Sequence, residues 1–270
     1  FSRLEGNPRV IIEDYPDGLF VSLPDKGKVV WMKDINGDGK PDRYRDLLTN
    51  LNRPHGLAFR DGKLYVAETD RVSMYDIESD GTLPGGLQAI NKKKILDLPG
   101  GGNHFSRTIG FGPDGKLYIS VGSSCNVCSE KSQWRAHIFQ ANPDGSDAKS
   151  YAYGLRNSVF FVWHPKTKEM WATEMGRDLL GDDLPPDEIN IVKDYSSSWG
   201  SYGARNYGWP YCYGKRVFDA TFENSDFAKN QCEGSESSHI DVPAHSAPLG
   251  LVFIPNSWPA EYRDDLLVAY

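Results

Sequence analysis

The sequence predicts an all-β chain of the β-propeller kind, and three observations predict it. A turn followed by a short run of alternating apolar and polar residues recurs along the chain. Turn residues and aromatics are abundant, with 27 Gly, 17 Pro and 33 Phe, Tyr and Trp residues in 270. Apolar residues at helical spacing are nearly absent.

The repeat first appears as Asp17-Gly18-Leu19-Phe20-Val21-Ser22-Leu23. It returns at Asp61–Ala67, at Asp114–Val121, in degenerate form at Lys166–Thr173, and last at Arg263–Tyr270. The starts fall near positions 18, 62, 115, 168 and 265, so the first four are separated by 44, 53 and 53 residues. The last gap of 97 residues leaves room for another blade or for one long insertion. A strand-like run precedes each later copy: His55–Phe59, Thr108–Gly112, Val159–Trp163 and Leu249–Phe253. Two such runs joined by D-G-K read as a hairpin. Further runs follow at Arg71–Tyr75 and Ala136–Gln140. Three or four strands in every ~50 residues are the signature of propeller blades, whereas a sandwich needs no fixed period. The start of the chain leaves little room for a full first blade. The end, Tyr270, falls inside a strand, so a single propeller domain over 1–270 is expected to be incomplete at its C-terminus.

Composition narrows the function classes. The net charge is -7, so a phosphate-binding surface and a nucleic-acid partner are not expected. No apolar run approaches the ~20 residues of a membrane span. Phe1–Glu5 has no basic patch followed by an apolar stretch, so no signal peptide is read there. The four cysteines form two local groups, Cys125 with Cys128 and Cys212 with Cys232. Two disulfides in an exported protein are the leading reading. A zinc site and free structural thiols remain open, although four-thiolate zinc usually shows two close pairs.

In a propeller, residues just before the inner strands line one mouth of the central channel. Asn52–Gly56, Gly102–Thr108, Tyr153–Ser158 and Ala244–Gly250 fall at such positions, and each brings His, Arg or both. That register predicts a functional mouth. His55, His137, His164 and His239 lack this support and read as structural.

The chain resembles the soluble pyrroloquinoline quinone (PQQ)-dependent sugar dehydrogenases, near the L-sorbosone and pyranose dehydrogenase branches. The resemblance rests on G-N-H-F-S-R-T-I-G-F-G-P-D-G-K-L-Y, G-S-S-C-N-V-C, Y-G-L-R-N, T-E-M-G-R-D, D-E-I-N, N-Y-G-W-P and A-P-L-G-L, in order over roughly residues 17 to 270. It implies a six-bladed propeller with the quinone across the channel mouth. It further implies a secreted or periplasmic enzyme oxidising a sugar hydroxyl or aldehyde hydrate, with an external electron acceptor such as a cytochrome.

The resemblance makes His104 the catalytic base, a role that suits a neutral imidazole. Arg156 and Asn157 match the family's R-N pair beside the cofactor. A guanidinium there can stabilise charge developing on the quinone oxygen. Val159 departs from bacterial glucose dehydrogenases, which carry glutamine at that position. Asn103 stands where some relatives have Asp. Arg53 and Arg107 are candidates for the quinone's carboxylates, and His245 for substrate or cofactor.

Two calcium sites are expected. Glu174-Met175-Gly176-Arg177 resembles a family segment whose main-chain carbonyls hold Ca²⁺, which makes Gly176 and Arg177 the ligands. Arg177 replaces a residue that is often Pro. Separately, Asp34, Asn36, Asp38 and Asp42 are spaced as in a calcium loop, but position 12 is Arg45 rather than Glu, which rules out a full EF-hand. An Asp/Gly-rich hairpin is the competing reading of that loop. Two functional alternatives stand beside the quinoprotein: a calcium-dependent propeller lactonase and a non-catalytic binding propeller. A dead relative is expected to lack the His104–Arg156 pair.

Overall fold

The computed structural model describes residues 4–14, 18–81, 86–193 and 203–270. Asp17, which opens the first repeat, lies outside them. The chain divides into two compact units: residues 1–101, 105–111 and 144–146 form the first, and residues 102–104, 112–143 and 147–270 the second.

In the first unit, β1 (Ile11–Asp14), β2 (Gly18–Leu23), β3 (Lys28–Lys33) and β4 (Arg43–Leu48) form an antiparallel meander in that order. A complete four-stranded blade therefore stands where little room for a full one was expected. The reason is β4, whose R-Y-R-D-L-L run is mostly exposed and carries no apolar alternation. On β2 the side-chain period of two sends neighbours to opposite faces. Phe20 joins Trp31, Leu57, Leu64 and Tyr75 on one side, while Val21 and Leu23 join Val30 and Met32 on the other. Gly27 closes the β2–β3 connection at φ 60°, and a Cβ there would lie 2.7 Å from the Leu51 carbonyl oxygen.

The second meander is β5 (Leu57–Arg60), β6 (Lys63–Glu68), β7 (Arg71–Ser79) and β8 (Leu87–Asp97). Its first hairpin turns at Asp61 (φ 51°) and Gly62 (φ 73°), the pair of left-handed residues that a two-residue hairpin needs. Beside β5 runs β9 (Arg107–Phe111), and Gly56 N donates to the Arg107 carbonyl at 2.8 Å.

In the second unit, β10 (Leu117–Val121), β11 (His137–Ala141) and β12 (Lys149–Tyr153) are antiparallel. A further sheet begins with β13 (Phe161–Trp163), β14 (Met170–Glu174) and β15 (Asp187–Val192). The chain then makes the long insertion that the 97-residue gap allowed. Within it β16 (Arg205–Asn206) adds a parallel edge to β12, and β17 (Cys212–Tyr213) pairs with β18 (Val217–Phe218). Helix α1 (Asp226–Glu233) follows. Strand β19 (Ile240–Val242) returns to β15 and completes the sheet. β20 (Leu251–Phe253) and β21 (Leu266–Val268) form a last hairpin. Tyr118, Ile138, Leu155, Phe161, Met170 and Tyr207 form the core of this unit.

Among the described residues there are thus four sheets of four or five strands, blades of the propeller type. All four cysteines are paired, Cys125 with Cys128 and Cys212 with Cys232, which removes the zinc and free-thiol readings. Among the described residues no helix is long and apolar enough to cross a membrane.

Candidate active site

Four loop stretches of the second unit are laced together by their backbones. Asn103 N donates to Ser124 O at 2.9 Å, and Ser123 N donates to Arg156 O at 2.7 Å. The Arg156 guanidinium then reaches the carbonyls of Met175 (3.3 Å) and Gly176 (2.8 Å). Small residues after β10 make this approach possible. A Cβ on Gly122 would lie 2.5 Å from Asn157 Oδ1 and 2.8 Å from His104 Cβ. Glycine at 122 therefore lets both His104 and Asn157 pack against this strand end.

His104 is half-buried, and its Nδ1 lies 3.0 Å from Ser123 O and 3.1 Å from Ser123 Oγ. The Ser123 hydroxyl donates its own hydrogen to Cys125 O at 2.6 Å. Both groups facing Nδ1 are therefore acceptors, which assigns the ring hydrogen to Nδ1 and makes Nε2 the basic nitrogen of the neutral imidazole. That is the tautomer of a general base held by its other nitrogen.

Arg156 is buried, and its whole fork is engaged. Nε donates to Asn126 O (2.9 Å), and Nη2 donates to Asn126 Oδ1 (2.9 Å) and Asp178 Oδ2 (3.3 Å), in addition to the two Nη1 bonds. Its charge is present at the site, while its N–H groups hold the loops. Asn157 donates its backbone N–H to Glu174 Oε1 at 2.7 Å, and its side-chain amide points at Met175 Sδ, 3.5 Å away.

Asp187 ties two loops together: Oδ1 accepts from Gly176 N at 2.6 Å and Oδ2 from Ala247 N at 2.7 Å. Two residues before Ala247, exposed His245 places Nε2 2.9 Å from Gly181 O. Asn103 is exposed. Arg177 lies elsewhere in the network, where its guanidinium forms a buried ion pair with Asp219 at 2.7 Å.

This region is rich in acid. Glu174 and Glu188 are opposite one another on β14 and β15, and both are buried. Burial, with Glu188 nearby, pushes the Glu174 carboxyl up to about 8, and burial pushes Glu188 up to about 7. Burial also raises Asp187. The carbonyls of Met175 and Gly176 converge on one cationic N–H, that of Arg156. Main-chain carbonyls are the hard oxygens that Ca²⁺ takes, and Gly176 O keeps a second lone pair beside its bond to Arg156. The observed converging pair is Met175 and Gly176, one residue earlier than the expected Gly176 and Arg177. His104, Asn103 and Asn157 bring polar side chains to these loops, and the Arg156 guanidinium, bonded to loop oxygens, brings a buried positive charge.

In the first unit, Arg53 is exposed and stacked on Phe105, its Cζ 3.5 Å from the ring centroid. Arg107 is fully buried and donates to Ser106 O and Pro99 O, both at 2.8 Å, so its fork braces a turn. In the Asp34–Asp42 loop, Asp34 accepts from Gly37 N and Gly39 N, Asn36 from Asp38 N, Asp38 from Lys40 N, and Asp42 from Ile35 N and Asn36 N. These bonds close the turns of the loop. Among the described residues, the metal-competent side-chain cluster is Cys125, Cys128 and Glu130, and its two thiols are spent in a disulfide.

Sequence reasoning did not single out Ser123, Asn126 or Asp187. The signal lay in G-S-S-C-N-V-C, where small and amide residues directly follow a buried strand.

Blades of this kind, with a histidine, an asparagine and an arginine gathered on their connecting loops, define a β-propeller that carries a candidate site in its loops. The chain belongs to the TrAA12-like family, matched over residues 2–270. It is 31% identical over 227 residues to a protein of Borreliella burgdorferi, covering 81% of this chain and 57% of that protein. It is 28% identical over 135 residues to a Synechocystis protein, covering 41% of this chain and 29% of that protein. The chain thus spans little more than half of the first relative and less than a third of the second. Among solved structures it is similar to the holo form of the pyranose dehydrogenase PQQ domain of Coprinopsis cinerea, with a TM-score of 0.75, 19% identity, and coverage of 93% of this chain and 69% of that one. It is similar to the calcium structure of the Trichoderma reesei family AA12 enzyme, with a TM-score of 0.73, 20% identity, and coverage of 91% and 70%. It is also similar to the PQQ-bound aldose sugar dehydrogenase of Streptomyces coelicolor, with a TM-score of 0.67, 21% identity, and coverage of 92% and 72%. At these identities the likeness establishes the fold.

Proposed function

We propose that this protein is an exported quinoprotein that oxidises a sugar at a hydroxyl or aldehyde-hydrate carbon, with PQQ and Ca²⁺ as cofactors. The observation that carries the reading is the His104 tautomer: Nδ1 is held by Ser123, which makes Nε2 the basic nitrogen. The relatives named above support the cofactors, and the two disulfides fit an oxidising compartment. Four blades and a further hairpin, set beside 69% coverage of the fungal domain, support a six-bladed whole within one domain.

When bound, the quinone supplies the hydride acceptor that side chains lack, and calcium supplies Lewis-acid polarisation. His104 Nε2 takes the hydroxyl proton as hydride leaves the same carbon. The resulting imidazolium keeps its Nδ1–H on Ser123 O, which stabilises the charge. Asn103 and Asn157 orient bound groups through their amides. Arg156 holds the Met175–Gly176 carbonyls in place and adds positive charge below them. Gly176 O is the calcium ligand of this reading, with the Arg177 carbonyl beside it. Arg53 is the candidate for a cofactor carboxylate, and His245 for the substrate. Electrons leave to an external acceptor.

The test is dye-linked oxidation of a panel of aldoses and ketoaldoses by the full-length protein, with PQQ and Ca²⁺ added or withheld. Turnover should require both and should fall ~10²–10⁴-fold in His104→Ala. Absence of quinone binding and of turnover across the panel overturns the reading, and hydrolysis of lactones would then replace it.

A further inference from the structure

The second unit contains another concavity, lined by none of His104, Asn103 or Asn157. A cavity of about 180 Å³ lies between the 129–137 stretch, Tyr153, the 206–211 segment and helix α1. Its walls carry the rings of Tyr153, Trp209, Tyr211 and Phe227 and the amides of Gln133 and Gln231. Phe227 is 62% exposed although it is wholly apolar. It is not a frayed residue. Ser225 Oγ caps α1 by accepting from Ala228 N at 3.1 Å, and the Cys212–Cys232 disulfide staples the same helix to β17. The Tyr211 ring meets Phe227 edge-on at 5.8 Å and 90°. A capped and stapled helix thus holds an apolar ring out at the rim of the cavity, at a cost in hydration that folding alone does not require.

The cleft offers a ligand little charge. Glu130 accepts from Ser124 N and from Ser124 Oγ (2.8 Å), and Arg135 donates to Gly122 O (3.3 Å). Rings and neutral amides remain. The chemistry that satisfies both is a ring with apolar C–H faces and a rim of hydroxyls. The faces lie on aromatic rings, and the hydroxyls bond to amides. The volume is that of roughly six waters at ~30 Å³ each, enough for one such ring.

We propose that this cleft binds a neutral pyranose unit of a glycan, separately from the reacting centre at His104. It adjoins that centre through one wall, because Trp209 Nε1 donates to Asn126 O (3.3 Å), the same carbonyl that receives Arg156 Nε. The proposal does not depend on His104 being a base.

Binding of cellotetraose, xylotetraose, maltotetraose and chitotetraose to the full-length protein, without PQQ, is measured by titration calorimetry. At least one should bind. Phe227→Ala and Gln133→Ala alter exposed residues and should leave the melting temperature unchanged, and either should weaken that binding about tenfold. His104→Ala should bind as well as the parent. Binding of none of the four, or binding undiminished in both cleft variants, overturns the proposal. Turnover of a free monosaccharide by Phe227→Ala reports separately on the His104 centre, so failure of the cleft and failure of the oxidase reading are distinguishable.

Discussion

Asn126 gives Arg156 two oxygens, its backbone carbonyl to Nε and its side-chain Oδ1 to Nη2, both at 2.9 Å. Asn126 sits between Cys125 and Cys128, so the small disulfide loop presents both oxygens together. Arg156 passes the constraint on to Met175 and Gly176. A residue inside a C-x-x-C loop thereby positions the carbonyls proposed to face a cation.

Asn126→Ala removes Oδ1, which also accepts from Asp178 N at 2.9 Å. A buried guanidinium N–H then loses an acceptor, at roughly 1–3 kcal/mol. A melting temperature several degrees lower is expected, with Asn126→Asp between the two because it keeps the acceptor but loses the Nδ2 bond to Asp178 O (3.0 Å). Thermal melts of the three proteins decide it; an unchanged melt in the alanine variant would show the clamp to be idle.

Gly122→Ala places a methyl against Asn157 Oδ1 and His104 Cβ, at 2.5 and 2.8 Å before relaxation. One or both side chains must shift. A misplacement near 1 Å can cost ~10²-fold in rate, and dye-linked turnover should fall by about that much. Retained turnover would mean that turnover does not need His104 and Asn157 packed against residue 122 as they are.

Two buried groups shape the pH profile of stability from opposite sides. Burial holds His55 down to about 3 from 6.5, so its contribution is complete above pH 6.5 and is lost as pH falls towards 3. Burial raises Glu188 from 4.5 to about 7, so its contribution is complete below pH 4.5 and is lost as pH rises through 7. Urea unfolding at half-unit pH intervals should show stability declining on both sides. Glu188→Gln should flatten the decline between pH 4.5 and 7 while leaving the acid side intact. An unchanged slope in that variant would remove Glu188 from the account.

Arg177 and Asp219 form an ion pair with side-chain exposures of 9% and 0%, and Asp219 also accepts from the Tyr213 hydroxyl at 2.9 Å. Breaking such a pair from one side typically costs ~3–5 kcal/mol, because a buried charge is left alone. Asp219→Ala should therefore unfold at markedly lower urea than the parent, and Arg177→Met, which fills similar space, should also be destabilised. Parent-like midpoints in both variants would contradict the burial of this pair.

By itself, the sequence determined the class of fold. Alternation at period two and D-G turns are local properties, and they marked strands β2, β6, β10, β14 and β21 close to where they occur. The pairing of neighbouring cysteines was legible for the same reason, whereas His104, Asn157 and Arg156 became candidates through their place before the inner strands and the family resemblance of their motifs. Tertiary structure decided the rest. Exposed β4 has no apolar pattern, so a full blade stands where little room for one was expected. Arg107 and Arg156 carry the same fork, yet one is buried against carbonyls of its own turn and the other ties together loops distant in sequence. The acidic loop at 34–42 has ligand spacing, and the fold shows its oxygens also accepting from the backbone N–H groups of the same loop. Spacing along a chain says which groups can meet. Which acceptor a polar group takes depends on what packing leaves within three ångströms of it, and that is a property of the folded chain.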